Sequence, residues 1–514
     1  MGSVRARLSM MMFLQYFVWG SWGVSIGGYM AVTLAFEPQQ IGWIYSTTAI
    51  GAMIAPLFVG YIADRYFSTE RILAALHIIG GALLCYAATQ SQFSTLMTIM
   101  IVYALCYMPT LALTNSISFE NINDPEKDFP IIRVFGTIGW IAAGIIVGSA
   151  LGGTNNTFFY LAGGASIALG LFCLALPHTP PKGAKEGGDA FGLHAVQLLK
   201  EPSFAVFVFA SFLICIPLAF YYNFANTFLT ETDQPVPTAI QTLGQISEIF
   251  FMAAMPFFIL KLGVKRMLAV GMLAWTARYL CFGSLSFGLI LIGLVLHGVC
   301  YDFFFVASQI YVDKKAPRDM RASAQSFIAF VTLGVGMFVG AMASGWIVGQ
   351  YPPVTVAATD AEGKEITAPL PGWHATEADA SVWRYLDLST QLRPLFVGEE
   401  AKQELPPDFF AENDANKDGK LQLSEIPETW IERKDMTKSE DDVTYQGKAL
   451  REAFTKIDAD DDGYVTRAEW RTAQAHEWKQ IWMWPAAMAA VTCAFFWIGF
   501  REKNIIAPPA GATH

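Results

Sequence analysis

The chain has 514 residues, of which 54% are hydrophobic and 15% are charged, and its mean hydropathy is +0.38. Soluble domains carry about 25% charged residues, so this composition argues against a soluble globular protein and indicates a polytopic membrane protein. The net charge is −10: residues 351–479 hold 15 Lys and Arg and 27 Asp and Glu, a charge of −12, and the rest of the chain carries +2. It therefore gives no indication of a nucleic-acid partner.

Apolar runs of roughly twenty residues recur along the chain, each long enough to cross about 30 Å of hydrocarbon as a helix. The first run has no small-residue cleavage site, so we expect a retained helix and not a signal peptide. A linker rich in Pro, Gly and Lys at 178–202 separates an N-terminal bundle at 1–177 from spans 7–11 at 203–350. The predicted spans are 8–33, 41–63, 71–91, 95–117, 132–152, 157–177, 203–229, 238–260, 265–284, 286–311, 323–349 and 480–500.

The loops between these spans alternate in charge. Short loops with the sequences FEPQQ, SQF, GGTNN, TETDQPVP and LSFG contain no Lys or Arg. Because basic loops stay in the cytoplasm, both termini, including the tail at 501–514, are predicted to be cytoplasmic, and the insertion at 351–479 extracytoplasmic. The basic residues of the alternate loops are Arg5, Arg7, Arg65, Arg71, Lys127, Arg133, Lys182, Lys185, Lys200, Lys261, Lys265, Arg266, Lys314, Lys315, Arg318, Arg321, Arg501 and Lys503.

Two twelve-residue stretches of the insertion, DANKDGKLQLSE at 414–425 and DADDDGYVTRAE at 458–469, have the EF-hand pattern. In such loops alternate oxygens surround the ion, a central Gly makes the sharp turn, and the last Glu binds with both oxygens. The pattern predicts two Ca²⁺ sites in a small α-helical EF-hand pair at 406–475. The predicted ligands are Asp414, Asn416, Asp418, the Lys420 carbonyl, Gln422 and Glu425, then Asp458, Asp460, Asp462, the Tyr464 carbonyl, Thr466 and Glu469.

The surroundings of the two loops allow further predictions. Leu421 and Val465 should pair across a short β-bridge that joins the hands, and the exit helix at 467–480 should continue into span 12. A permanently filled structural site and a regulatory site both remain open. The first part of the insertion, 351–405, is expected to be irregular apart from a helix at 372–392. It has no nucleophile–base pair or zinc-ligand pattern, so the chain is not predicted to be an enzyme.

A few ionisable residues lie inside the predicted spans, where such groups are costly and point to function. Glu248 lies near the middle of span 8, with Gln245 one turn earlier on the same face. Asp302 lies among aromatic residues of span 10, an environment that favours a protonated carboxylic acid. Glu248 is a candidate proton acceptor or solute ligand and Asp302 a candidate coupling residue. The alternative for both carboxylates is a structural pair with Arg278 of span 9.

Several segments resemble the nucleoside:proton symporters of the major facilitator superfamily, and within them the bacterial nucleoside permeases. The likeness covers all twelve spans apart from the insertion, and its motifs occur in the same order and spacing. The segments are FLQYFVWGSWGVSIGGYM at 13–30, YMPTLALTNSISF at 107–119, DFPIIRVFGTIGW at 128–140, GQISEIFF at 244–251, YDFFF at 301–305 and RASAQ at 321–325.

This resemblance implies an all-α, twelve-helix major facilitator fold of six plus six spans in the inner membrane, taking up a nucleoside with a proton by alternating access. It places solute-binding residues at Arg133, Thr137, Gln245 and Glu248, with Asp302 as the coupling carboxylate. Three positions depart from the family: Trp140 replaces the usual Phe, and Ala219 and Tyr222 stand where span 7 tends to carry amides. Trp140 and Tyr222 are also expected to bind the solute. A symporter of a sugar or nucleobase, or a transport-inactive calcium or ligand sensor, therefore remains open. We expect a monomer in the lipid bilayer.

Overall fold

The computed structural model describes residues 2–65, 67–180, 193–232, 234–317, 320–372, 409–432, 442–458 and 461–501. The chain divides into two compact units. The membrane unit contains residues up to 227, residues 236–349 and the chain from 481 onward. The second unit contains residues 228–235 and 350–480, and we call it the insertion unit.

The first six spans of the membrane unit precede the linker. Span 1 is Gly2–Gly23 and Ile26–Gly28, followed by a π-helical turn at Tyr29–Thr33. Span 5 is Pro125–Ile145, followed by a second π turn at Ile146–Ala150. Spans 2, 3, 4 and 6 are Pro38–Arg65, Thr69–Ala87, Phe93–Glu120 and Thr157–Cys173.

The second six spans follow a short 3₁₀ helix at Leu193–Lys200. Span 7 is Pro202–Glu231, and spans 8 and 9 share Pro237–Gly283, which breaks at Gly263. Glycine adopts the required positive φ of 69° without steric cost. Span 10 consists of Phe287–Tyr301, a π turn at Asp302–Val306 and Ala307–Lys315. Span 11 consists of Arg321–Ala329, a π turn at Phe330–Gly336 and Met337–Val348. Span 12 is Trp478–Gly499.

The positions of these helices agree with the twelve predicted spans, with six on each side of the linker. Among the described residues, eight helices are long and apolar enough to cross a membrane, judged by length and composition alone. One of the eight is the broken helix Pro237–Gly283, which accounts for two of the predicted spans, and Thr157–Cys173 is a shorter apolar helix.

The two six-helix halves are in close contact at one end of the membrane unit, where spans 1 and 7 finish and spans 2 and 8 begin. We call it the closed end. A Cβ built on Gly27 would lie 2.7 Å from the Asn223 carbonyl oxygen, and one on Gly42 would lie 2.5 Å from that of Ala341. Real Cβ atoms essentially never come within 3.0 Å of such atoms. Only glycine therefore permits this packing.

Hydrogen bonds also cross the closed end. The hydroxyl groups of Ser25 in span 1 and Thr238 in span 8 lie 3.1 Å apart. The Asn226 amide of span 7 donates to the same Thr238 oxygen at 3.0 Å. These three side chains are buried, so a hydrogen-bonded polar cluster joins the first half to the second.

The insertion unit contains a sheet that the sequence does not predict. Its strands are β1 Thr355–Thr359, β2 Glu365–Pro369, β3 Lys420–Gln422, β4 Thr429–Glu432, β5 Val443–Gln446 and β6 Tyr464–Thr466. Four form an antiparallel sheet in the order β2-β1-β5-β4. The prediction of irregular structure in the first part of the insertion is therefore wrong at β1 and β2. β1 alternates exposed and buried residues, as a half-buried strand does, whereas the predicted helix at 372–392 lies outside the described residues apart from Gly372.

The described part of the insertion unit also contains two short strands, three α-helices and a 3₁₀ helix at Leu423–Glu425. β3 pairs with β6, and Leu421 faces Val465, as predicted. The helices are Phe409–Asn413, Gly447–Ile457 and Arg467–Gln474. The last helix does not continue into span 12, because Ala475 has an extended backbone at φ −95° and ψ 158°. The predicted continuous exit helix is therefore wrong.

The break after Gln474 is held by a carboxylate from the end of span 7. Glu231 accepts hydrogen bonds from the His476 backbone N–H at 3.0 Å, from His476 Nδ1 at 3.0 Å and from Trp478 Nε1 at 2.8 Å. Glu231 and His476 are 14% and 13% exposed, so this clamp is largely shielded from solvent. It fixes the chain at the point where the insertion unit leads into span 12.

Candidate functional site

A cavity of about 560 Å³ lies between the two halves of the membrane unit. This volume falls within the range typical of small-molecule sites, about 300–1,000 Å³. Its wall is mainly aromatic and apolar, with a few polar side chains from spans 2, 5, 7, 8, 10 and 11. The six residues predicted to bind solute all line it: Arg133, Thr137, Trp140, Tyr222, Gln245 and Glu248.

Arg133 and Glu248 supply charges of opposite sign to the cavity wall. The Arg133 guanidinium lies 4.2 Å from the centre of the Tyr16 ring, in a cation–π contact. The two residues form no ion pair with each other or with another described residue. Both remain available for a polar solute, since a direct ion pair does not occupy them.

Asp302 does not line the cavity. It is fully buried at the start of the π turn of span 10, beside Phe303 and Phe304, and its neighbour Tyr301 reaches the cavity wall. Neither carboxylate oxygen has a hydrogen-bond partner among the described residues. An ionised carboxylate without partners is unfavourable in such a place, so this environment suits the protonated acid.

The alternative in which Arg278 pairs with Glu248 or Asp302 is wrong, because Arg278 forms no ion pair with a described carboxylate. Its guanidinium lies 3.5 Å from the centre of the Tyr221 ring, and Nη1 donates to His297 Nδ1 at 2.8 Å. Arg278 is fully buried, and its Nε and Nη2 atoms have no partner among the described residues.

Other cavity residues were not predicted. Trp19, Trp22, Tyr45, Asn223, His297 and Tyr301 also line the wall. The sequence pattern could have identified the cavity residues of span 1, because Tyr16, Trp19 and Gly23 recur at helical spacing and share one face. On span 7, Asn223 lines the wall and donates to the Ser344 hydroxyl at 3.0 Å, whereas Asn226 points to Thr238. The two amides therefore lie on different faces of the helix.

The first EF-hand loop has the backbone that its sequence requires. Gly419, at position 6, has a φ of +81°, and the Gly419 and Asp418 amides donate to the Asp414 carboxylate at 2.9 and 3.2 Å. The Lys420 amide donates to Asp418 at 2.8 Å, and the Gln422 amide to Glu425 at 2.8 Å. The loop therefore has the turn of an EF-hand, and its Asp414, Asn416, Asp418 and Glu425 side chains carry the hard oxygen donors that suit Ca²⁺.

The second loop repeats the arrangement where it is described. Gly463 has a φ of +80°, and its amide donates to Asp458 at 3.0 Å. The Thr466 amide donates to Glu469 at 2.8 Å, and the Lys420 ammonium group of the first loop lies 3.4 Å from Asp462. Asp460 lies outside the described residues. Among the others, no group of three His, Cys, Asp or Glu is close enough to hold a metal ion, although the donor types match.

Comparisons with known proteins agree with this architecture. The "Nucleoside H+ symporter" family matches residues 2–359, and the "EF hand" family matches residues 450–473. The protein YegT of Escherichia coli (strain K12) is 45% identical over 350 residues, which cover 65% of this chain and 82% of YegT. The xanthosine permease of the same organism is 34% identical and covers 68% of this chain and 89% of its own length.

Solved structures show the same fold. The crystal structure of the nucleoside transporter NupG has a TM-score of 0.63 and 32% sequence identity, over 68% of this chain and 91% of that one. A bacterial homologue of the lysosomal transporter Spinster has a TM-score of 0.61 at 13% identity, a likeness of fold alone. The membrane unit thus has the twelve-helix major facilitator fold, and the chain belongs to the nucleoside H⁺ symporter family.

Proposed function

We propose that the chain takes up a nucleoside together with a proton by alternating access. One observation carries this proposal: Arg133, Thr137, Gln245 and Glu248 share a cavity walled by aromatic rings, and an unpartnered carboxylate, Asp302, is buried one residue behind it. A nucleoside presents sugar hydroxyls and base edges that need donors and acceptors, and a flat base that stacks on rings. The names of NupG and the xanthosine permease support a nucleoside as the solute.

The residues divide the work by chemistry. Arg133 and Gln245 supply hydrogen-bond donors, Thr137 and Glu248 supply acceptors, and Trp140 and Tyr222 supply ring faces for the base. Asp302 takes up a proton, and Glu248, the carboxylate of the cavity wall, is the second proton-coupling residue. A neutral solute moves uphill only if a titrating group ties its passage to the proton gradient.

The orientation follows from the charge of the loops. Both termini are cytoplasmic under the positive-inside rule, so the closed end faces outward and the cavity is accessible from the cytoplasm. We propose with it that the bundle 1–177, spans 7–11 at 203–350 and span 12 at 480–500 lie in the inner membrane. The linker 178–202 and the tail 501–514 are then cytoplasmic, and the insertion at 351–479 is extracytoplasmic. This conformation is the one from which an imported solute leaves.

Uptake of labelled uridine tests the proposal in cells that lack their own nucleoside transporters. We expect accumulation that is driven by external acid and collapses with a protonophore. Asp302→Asn should abolish accumulation against a gradient while uridine exchange across the membrane continues. Counterflow with unlabelled purine and pyrimidine nucleosides, nucleobases and sugars assigns the solute. Counterflow with sugars or nucleobases alone would make the chain a symporter of another solute, and no flux of any solute would favour the sensor.

We also propose that the insertion binds two Ca²⁺ ions that stabilise its fold. The support is the paired loops, the glycines with positive φ and the bridge between β3 and β6. Because extracytoplasmic calcium is abundant, a permanently filled site that stabilises the fold is favoured over a switch. Chelation should lower the melting temperature of the insertion unit and leave uptake unchanged while that unit stays folded. Loss of uptake with the insertion still folded would establish a regulatory role instead.

A further inference from the structure

The contact between Arg278 and His297 fixes the chemistry of the histidine ring. A guanidinium has only N–H donors, so the 2.8 Å contact from Arg278 Nη1 requires His297 Nδ1 to accept through its lone pair. The proton of a neutral imidazole is then on Nε2. A second positive charge on the ring, directly against the guanidinium, would be repelled, which disfavours the imidazolium. His297 is therefore held as one neutral tautomer.

The ring is also held in place by its packing. The centre of the Tyr221 ring lies 5.1 Å from that of the His297 ring. The Tyr301 ring, one turn later in the same helix as His297, lies 5.7 Å away. A Cβ built on Gly244 of span 8 would lie 3.1 Å from His297 Cβ, so span 8 presses against the base of the side chain. His297 lines the cavity, and with Nδ1 occupied, Nε2–H is the polar group it can offer there.

The cost of placing Arg278 in this position indicates what it is for. It is fully buried in a membrane span, and Nε and Nη2 have no partner among the described residues. The Tyr221 face at 3.5 Å and the Phe282 ring at 5.4 Å stabilise its charge only in part. A cation kept only for packing could be replaced by an apolar residue with a gain in stability. Its shorter hydrogen bond goes to His297 of the cavity wall, and a second one, at 3.8 Å, goes from Nη1 to Cys300 Sγ.

We propose that Arg278 is a positioning residue which holds His297 as the Nε2–H tautomer, so that His297 gives the cavity a fixed hydrogen-bond donor for an acceptor atom of the solute. This inference rests on the proposed nucleoside transport. The acceptor is a carbonyl oxygen or ring nitrogen of the base, or a sugar oxygen. A donor that cannot become an acceptor discriminates against a solute that presents an N–H at the same point, because two donors would then face each other unpaired.

Magic-angle spinning NMR of histidine-¹⁵N-labelled protein in lipid tests the tautomer. We expect His297 to show a protonated Nε2 and an unprotonated Nδ1 in the unsubstituted protein. In Arg278→Met the two nitrogens should lose this fixed assignment, while Arg278→Lys, which keeps a donor, should largely restore it. His77, whose ring lies against Gln15 and Ser166 in the first half of the chain, is the internal reference and should not change. An unchanged His297 signal in Arg278→Met would overturn the inference.

Competition for uridine uptake by paired analogues identifies the atom that His297 recognises. Inosine carries a carbonyl where adenosine carries an amino group, and uridine differs from its 2′-deoxy and 3′-deoxy forms by one sugar oxygen. His297→Phe and Arg278→Met should narrow the discrimination within one of these comparisons by roughly five- to tenfold. His297→Gln, whose amide nitrogen reaches the place of Nε2, should retain it. The pair of analogues whose discrimination is reduced shows whether His297 binds the base or the sugar.

The outcomes separate this inference from the proposed function. Absence of nucleoside uptake by the unsubstituted chain would remove the proposed function itself. Normal uptake with unchanged discrimination in His297→Phe would overturn only the role of His297 as donor. Should Arg278→Met fail to fold, the His297→Phe and His297→Gln pair, in which Arg278 is retained, still tests the donor role of His297. A protonated Nδ1 on His297 of the unsubstituted protein would then overturn the positioning role of Arg278.

Discussion

Replacement of Gly42 by alanine tests whether the closed end sets the conformational equilibrium. The alanine Cβ would lie 2.5 Å from the Ala341 carbonyl oxygen and 3.3 Å from Gly345 Cα. To reach even 3.0 Å from that oxygen, span 2 and span 11 must separate by about 0.5 Å. The obstacle is backbone, so no side-chain rotation relieves it.

The expected magnitude follows from the cost of overpacking, about 1–3 kcal/mol. At about 1.4 kcal/mol per factor of ten, Gly42→Ala should shift the equilibrium away from the closed arrangement by roughly 5- to 150-fold. The higher helix propensity of alanine, about 0.5–1 kcal/mol, stabilises span 2 equally in both arrangements and leaves this shift unchanged. Under the proposed orientation, the variant accumulates with its cavity facing outward.

Hydrogen exchange of the purified protein in lipid nanodiscs measures the shift. Amides at the start of span 2 and the end of span 11 should exchange faster, and maximal uridine uptake should fall. Gly164→Ala in span 6 is the matched control, because nothing lies within 4 Å of its built Cβ. Equal exchange and equal uptake in the two variants would show that the closed end does not limit the transport cycle.

Three further predictions concern the insertion unit. Glu469→Gln should weaken Ca²⁺ binding at least about tenfold in calorimetric titration, because an amide cannot bind with two oxygens; equal affinity would contradict the assigned loop. Burial, reinforced by Glu432, raises the pKa of Tyr445, so the folded phenol stays neutral. The contribution of Tyr445 to the free energy of unfolding is complete below pH about 10 and falls above it by up to about 1.4 kcal/mol per pH unit, because the unfolded phenol then ionises. Hydrogen exchange corrected for intrinsic rates measures this slope, and Tyr445→Phe should lack it. Glu231→Gln should weaken the contact between residue 231 and His476 by about 1–3 kcal/mol, so backbone amides at 474–480 should exchange hydrogen faster. Unchanged exchange there would show that Glu231 does not anchor this segment.

The sequence predicted features that depend on local pattern. Twenty-residue apolar runs fix the spans because a bilayer imposes their length, and Gly419 and Gly463 fix the loops because only a positive φ closes the turn. The pairing of Leu421 with Val465 followed from the same loop geometry. In each case the physical constraint acts within a dozen or two residues.

Features that depend on packing between distant segments were not predictable. The hairpin of β1 and β2 is short and made largely of Ala and Thr, and its partner β5 lies about 85 residues later. The position of Asp302 behind Tyr301 depends on a π turn, which shifts the helix face and has no sequence signature in span 10. The pairing of Arg278 with His297 instead of a carboxylate depends on how spans 9 and 10 rotate about their axes.

The π turns of spans 1, 5, 10 and 11 give these helices a degree of freedom that a uniform α-helix lacks. Each turn closes its hydrogen bonds over five residues instead of four and so stores one extra residue in the helix. The position of a π turn can shift along a helix one residue at a time, because each step exchanges only one backbone hydrogen bond. Its passage rotates the intervening residues by about 100°. Asp302 begins one such turn and follows Tyr301, which lines the cavity. A rotation of this size would carry the Asp302 side chain from its buried position to the cavity wall.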